Sequence, residues 1–274
     1  MNGPIIDVNI NLSRWPTRRL PHDDTASLVK HLRTHGVIEA WAGSFDALLH
    51  KDLAAVNDRL AHECRSQANL RLVPFGSVNP VLPDWEEDLR RCAELHHMPG
   101  IRLHPNYHGY KLDHPAFARV LKLATERHLL VALAVIMEDE RVMHPLFRVP
   151  PVNLDPLTTL VTQTSGLRLI LLNALSGWPP PGGKGKDQAG SRGDALKTLL
   201  RSGEVYVEIA MLERLGGVAN LLNEVPHERV MFGSHAPFFY FESALLKLKE
   251  AALSANQLKA LQQENARRLL AARE

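Results

Sequence analysis

"PIIDVNINLSRWP", residues 4–16, separates two folds that both begin with a buried strand. Its first half, rich in Ile and Val, has the near-continuous apolar character of a strand covered on both faces. An open doubly wound sheet would follow such a strand with a glycine-rich turn that brings backbone amides to a phosphate. The turn here is "NINLSRWP", which contains no glycine. Apolar runs of the same kind recur at residues 37–43, 70–78, 100–104, 129–136, 167–173, 205–210 and 229–234. Between them lie longer stretches with apolar residues at three- and four-residue steps, the period of an amphipathic helix. One of these, "DTASLVKHLRTHG", opens on the capping candidates Asp24 and Thr25 and closes on Gly36. Eight β-then-α units predict an α/β protein whose parallel sheet closes into a (β/α)8 TIM barrel, a single domain over residues 1–274. The last stretch, "SANQLKALQQENARRLLAARE", is expected to form a C-terminal helical extension.

With 45% hydrophobic and 23% charged residues, the chain matches globular proteins and not disordered or fibrous ones. Its formal net charge is +2, and its 32 Lys and Arg are spread along the sequence. Without a basic run to capture nucleic acid, the expected partner is a small-molecule substrate. No apolar stretch reaches membrane-spanning length, and no basic segment followed by an apolar run opens the sequence. A cytoplasmic protein with no membrane partner is therefore expected. Cys64 and Cys92 lie in charged, helix-like stretches without metal-ligand spacing, as structural thiols of a reducing compartment would. The one low-complexity segment, residues 176–193, follows the sixth strand and is expected to be a long loop, either a lid or an insertion without function.

In a barrel, functional groups come from strand C-termini and the loops after them. Those positions hold Asn9 and Asn11 after strand one, Arg102 and His104 at strand four, Glu138 to Glu140 after strand five, Asn173 after strand six, Glu208 in strand seven and His235 after strand eight. Glu208, if it points inward, needs a partner, and Arg102 is the expected one. Arg14 and Arg18 flank Trp15 in the first loop and either bind an anion or stay on the surface.

"DVNINL" at strand one, "GIRLHPNYHGYKLDHPAF" at strand four, "MFGSHAPFF" at strand eight and the closing "ENARRLL" together resemble the amidohydrolase superfamily, in its amidohydrolase-2 branch of metal-dependent TIM-barrel hydrolases and decarboxylases. The resemblance implies a His-x-His pair at strand one, where this chain has Asn9-Ile10-Asn11. It implies a ligand near the end of strand five, where Ala134, Val135 and Ile136 stand, a histidine at Asn173 and an aspartate at His235. Asparagine offers zinc only a weak neutral oxygen, and none of the changed positions supplies an anion. The metal site reads as degenerate, and the expectation is no cofactor, with zinc or another divalent ion disfavoured. A homodimer is a further expectation from the resemblance.

Two functions stay open. In the first, the barrel hydrolyses or decarboxylates a small polar or anionic molecule. His235 is then the general base, His104 a second catalytic candidate, and Asn9, Asn11, Arg102, Asn173 and Glu208 bind substrate. In the second, the barrel has lost catalysis and binds a small ligand or acts in assembly.

Overall fold

All eight apolar runs form strands, and the strand order in the sheet equals the order in the chain. The computed structural model describes residues 3–178 and 188–271. The elements are β1 (Ile5–Leu12), α1 (Thr25–Thr34), β2 (Val37–Ser44), α2 (Leu53–Ser66), β3 (Arg71–Ser77), α3 (Trp85–Arg90), β4 (Gly100–Leu103), α4 (Pro115–Glu126), β5 (Leu130–Ala134), α5 (Asp155–Gln163), β6 (Arg168–Leu172), α6 (Gln188–Leu200), β7 (Glu204–Glu208), α7 (Gly217–Glu224), β8 (Val230–Met231) and α8 (Phe241–Glu250). The expected C-terminal extension is α9 (Ala255–Lys259) and α10 (Asn265–Ala271), joined through the wider turn Ala260–Glu264. Every consecutive strand pair is parallel.

The barrel closes through backbone beyond the short β8. Val8 N donates to Phe232 O at 3.0 Å, His235 N to Asn9 O at 2.8 Å and Asn11 N to Ala236 O at 2.9 Å. Strand eight was expected over residues 229–234, but after Met231 the chain follows β1 irregularly, which shortens the ladder.

Alternate residues along each strand go to two packed layers, as a sheet covered on both faces requires. Val131 and Leu133, Leu169 and Leu171, and Val205 and Val207 pack outward against helices. Val73, Phe75, Leu130, Ala132, Ile170, Leu172 and Tyr206 fill the barrel, with Ala266 and Leu269 of α10 packed against the same layer. β1 breaks the pattern. Ile6 and Val8 belong to the inner layer while Ile10 and Leu12 belong to the outer one, because the β1–β2 register shifts between Asp7 and Ile10. Such an irregularity re-aims side chains, and here it turns Asn9 and Asn11 inward.

Cys64 and Cys92 are free and buried, and burial pushes both thiols up to about 12, which suits packing and not reactivity. Of the segment 176–193, residues 179–187 lie outside the described residues, as does the choice between lid and insertion. From Gln188 onward the chain is already helix α6, so the loop is shorter than expected. Among the described residues no helix is long and apolar enough to cross a membrane.

Candidate active site at the barrel mouth

The predicted polar residues do converge. Asn9, Asn11, Arg102 and Asn173 are each 1% exposed, and Glu208 and His235 are fully buried. Groups this deep need hydrogen-bond partners, since an unpaired one costs about 1–3 kcal/mol. They find them in one another and in the surrounding backbone.

Arg102 Nη1 donates to Asn11 Oδ1 at 2.9 Å and to Ile10 O at 3.0 Å, and Nη2 donates to Trp41 O at 3.3 Å. Burial lowers its guanidinium from 12.5 to about 10. The expected ion pair with Glu208 is not formed directly. Strand β4 places the guanidinium against β1 and β2, where three oxygens receive it, and Glu208 reaches it only as a charge acting through space. This packing depends on Gly43, because a Cβ there would lie 2.7 Å from Arg102 Nη1.

Glu208 Oε1 accepts from Asn173 N at 2.6 Å and from Asn9 Nδ2 at 3.2 Å, and Oε2 accepts from Ala210 N. Asn9 Nδ2 also donates to Asn173 Oδ1 at 2.9 Å, and Asn173 Nδ2 to Ile136 O at 2.8 Å. Burial raises the Glu208 carboxyl above its ordinary range, against the lowering effect of its donors. Gly233 makes room for it, since a Cβ there would sit 2.6 Å from Glu208 Oε2.

Asn173 and His235 both adopt left-handed backbone at φ 57°. Asn and His are among the side chains that tolerate this region, which recurs at functional sites. His235 Nε2 lies 2.8 Å from Met137 O, which can only accept, so Nε2 carries the proton. Nδ1 then accepts from Asn11 Nδ2 at 3.4 Å. Burial lowers His235 from 6.5 to about 4, leaving a neutral ring with both nitrogens engaged.

His104 differs. It is 2% exposed, and among the described residues neither ring nitrogen has a hydrogen-bond partner. Burial, followed by its neighbours His108, Arg102 and His235, holds it well below the ordinary imidazole value. His108 is structural, with Nε2 2.8 Å from Ala47 O.

Asp7, which the sequence reading passed over, is fully buried beside this network. Its Oδ1 accepts from Asn9 N at 3.1 Å and Ser234 N at 3.0 Å, and its Oδ2 from Ser234 Oγ at 2.5 Å. Burial raises its carboxyl from 3.8 to about 7, with the Glu208 charge adding to the rise. An acid in mid-strand among Ile and Val was the signal that could have found it.

An aromatic cap covers the polar residues. Trp15, Phe45, Met137 and Phe238 pack together, with Tyr107 against them, all from loops that follow strands. Trp15 meets Phe238 at 4.8 Å and Phe45 at 5.2 Å, edge to face, and Phe238 stacks on His235 at 5.1 Å. Arg18 lies over the Phe238 ring at 4.8 Å and pairs with buried Glu138 at 2.5 Å. The two sequence candidates Arg18 and Glu138 thus satisfy each other at the rim.

The amidohydrolase family model matches residues 18–271. The chain belongs to the amidohydrolase family. No curated protein matches the sequence. Among solved structures, it is similar to 2,6-dihydroxybenzoate decarboxylase from Rhizobium, at 14% identity, 99% coverage of both chains and a TM-score of 0.71. It is also similar to 5-carboxyvanillate decarboxylase from Novosphingobium aromaticivorans, at 13% identity, covering 98% of this chain and 97% of that one, with a TM-score of 0.72. A dihydroxybenzoic acid decarboxylase from Polaromonas matches at 13% identity, covering 99% and 98%, with a TM-score of 0.69. At these identities the likeness establishes the fold.

The latter two structures hold bound manganese. They correct the expectation that an amidohydrolase-2 barrel of this kind goes with no cofactor: barrels matching nearly the whole chain carry a metal. The mouth residues of this chain nevertheless do not fit that ion as they stand. Asn9 donates to Asn173 and Glu208, Asn11 is held between Arg102 and His235, both His235 nitrogens are engaged, and among the described residues His104, Asp7 and Glu208 do not form a metal-capable group. Among the described residues the one group of three metal-capable side chains lies elsewhere, at His31, His35 and Glu242.

Proposed function

We propose that this amidohydrolase-family barrel is an enzyme that hydrolyses or decarboxylates a small anionic, ring-bearing molecule at its mouth. The observation that carries the reading is His104: a buried neutral imidazole with two unused nitrogens, beside the positive Arg102. Burial and the Arg102 charge hold the imidazole neutral, and a substrate anion bound beside it would oppose both effects and raise its proton affinity toward the working range of a general base. His235, with both nitrogens bonded, positions Asn11 and through it Arg102. Arg102, Asn9, Asn11, Asn173 and Glu208 supply donors and acceptors for the substrate once the cap opens. The aromatic rings of the cap and the cation of Arg18 suit a planar anion. The similar structures include one complexed with 2,6-dihydroxybenzoate, which agrees with that class.

The test is a turnover screen of hydroxybenzoates, other small carboxylates and cyclic amides and esters, each with and without added manganese. Turnover of a carboxylate, falling about a hundredfold or more in His104→Ala, is the expected result. Activity unchanged by that substitution would remove His104 from the mechanism.

A second reading is favoured by the burial itself. Apart from His104, the polar residues are almost wholly enclosed and satisfied by one another and by backbone groups, as in a network that ties β1 to β4, β6 and β7. A barrel of that kind binds or assembles without turnover, and a screen without any active compound would support it.

A further inference from the structure

We propose that His31, His35 and Glu242 form a binding site for a divalent transition ion of the zinc type, outside the barrel between α1 and α8. This does not depend on the reading of the mouth.

His31 lies in the last turn of α1 and His35 is the C-cap residue that follows it. Glu242, in the first turn of α8, faces both. His31 Nε2 lies 3.4 Å and His35 Nε2 3.1 Å from Glu242 Oε1, and the three ligand atoms lie within 4.8 Å of one another. With zinc–nitrogen and zinc–oxygen bonds of about 2.0 Å, two ligands of a tetrahedral ion stand about 3.3 Å apart. Both nitrogen-to-oxygen separations are close to that edge, and the two imidazole nitrogens stand within 4.8 Å of each other.

The rings are held before any ion arrives. His35 stacks on Phe241 at 5.3 Å and His31 stacks on His22 at 4.3 Å, while His22 Nδ1 bonds Ser27 Oγ at 2.7 Å. All three ligands are half-buried, which limits competition from water without the cost of a fully buried charge. Two imidazoles and one carboxylate satisfy three positions and leave the fourth open. His31 also lines a cavity of about 210 Å³ with Arg18, Arg19 and Phe238, so the open position has space for water or an anion. The elements joined are those on either side of the seam where the segment after β8 meets β1, and an ion there clips the barrel shut.

The test is titration of the metal-free full chain with ZnCl2 by calorimetry and with CoCl2 by visible absorption. The expected result is one equivalent lost in Glu242→Gln, with affinity down at least about tenfold, intense tetrahedral cobalt bands in the wild type, and a zinc-dependent rise in unfolding temperature that the variant lacks. His35→Ala should behave alike, and Glu242→Gln keeps the side-chain volume so that its metal-free unfolding temperature serves as the folding control. Two equivalents with one lost in the variant would equally support the site and place the other ion elsewhere. No binding by the wild type, or binding unchanged in both variants, overturns it.

Discussion

Asp7→Asn should stabilise this protein, increasingly so as the pH rises. In the folded chain burial lifts the Asp7 carboxyl to about 7, whereas in the unfolded chain it returns to about 3.8. The folded state therefore binds more protons between those values, and stability falls as pH rises through that window, then stays level above it. The full cost to the ionised form is about 4 kcal/mol. An amide at the same place keeps the geometry: Oδ1 can still accept from Asn9 N and Ser234 N, and Nδ2 can donate to Ser234 Oγ, which already accepts from Ala236 N at 3.0 Å. Any fixed difference in hydrogen bonding shifts the variant equally at every pH, so the pH dependence isolates the charge. Urea unfolding of both proteins at pH 4 and pH 8, with slopes compared, measures it. The advantage of the variant should grow by roughly 3 to 4 kcal/mol between the two conditions. An advantage of constant size, or one that shrinks with pH, would show that Asp7 is not held as a strained buried carboxyl.

His235 has the opposite sign. Its folded value of about 4 lies below the ordinary 6.5, so the unfolded state binds more protons and stability is lost as pH falls from about 6.5 to about 4. His235→Gln should flatten that acid limb by about 3 kcal/mol, read from the same urea series between pH 4 and 7. Gly43→Ala should cost about 1–3 kcal/mol, because its Cβ meets the buried Arg102 guanidinium at 2.7 Å, and the urea midpoint should drop without a change in slope.

The positions of the candidate residues were legible because barrels draw their functional groups from strand ends, and the strand ends here could be counted. Asn9, Asn11, Arg102, His104, Asn173, Glu208 and His235 all lie where counting put them. What each one bonds to was not legible. Arg102 and Glu208 look complementary as charges, yet the guanidinium is held by Asn11 and two carbonyls while the carboxylate takes backbone amides. Backbone donors carry no residue letter, so a pairing read from side-chain types alone overlooks them. The histidines also exchanged prominence, because only coordinates show that His235 is saturated and His104 is not.

The sequence by itself determined the barrel: eight apolar runs alternating with amphipathic stretches leave one economical way to bury every strand on both faces, and the motifs at strands four and eight carried the family. Tertiary structure alone decided the β1 irregularity that turns Asn9 and Asn11 inward, the elevation of Asp7, the aromatic cap, and the meeting of His31 and His35 with Glu242. Each depends on groups more than two hundred residues apart in sequence or on a backbone shift of a single position, and local periodicity contains neither.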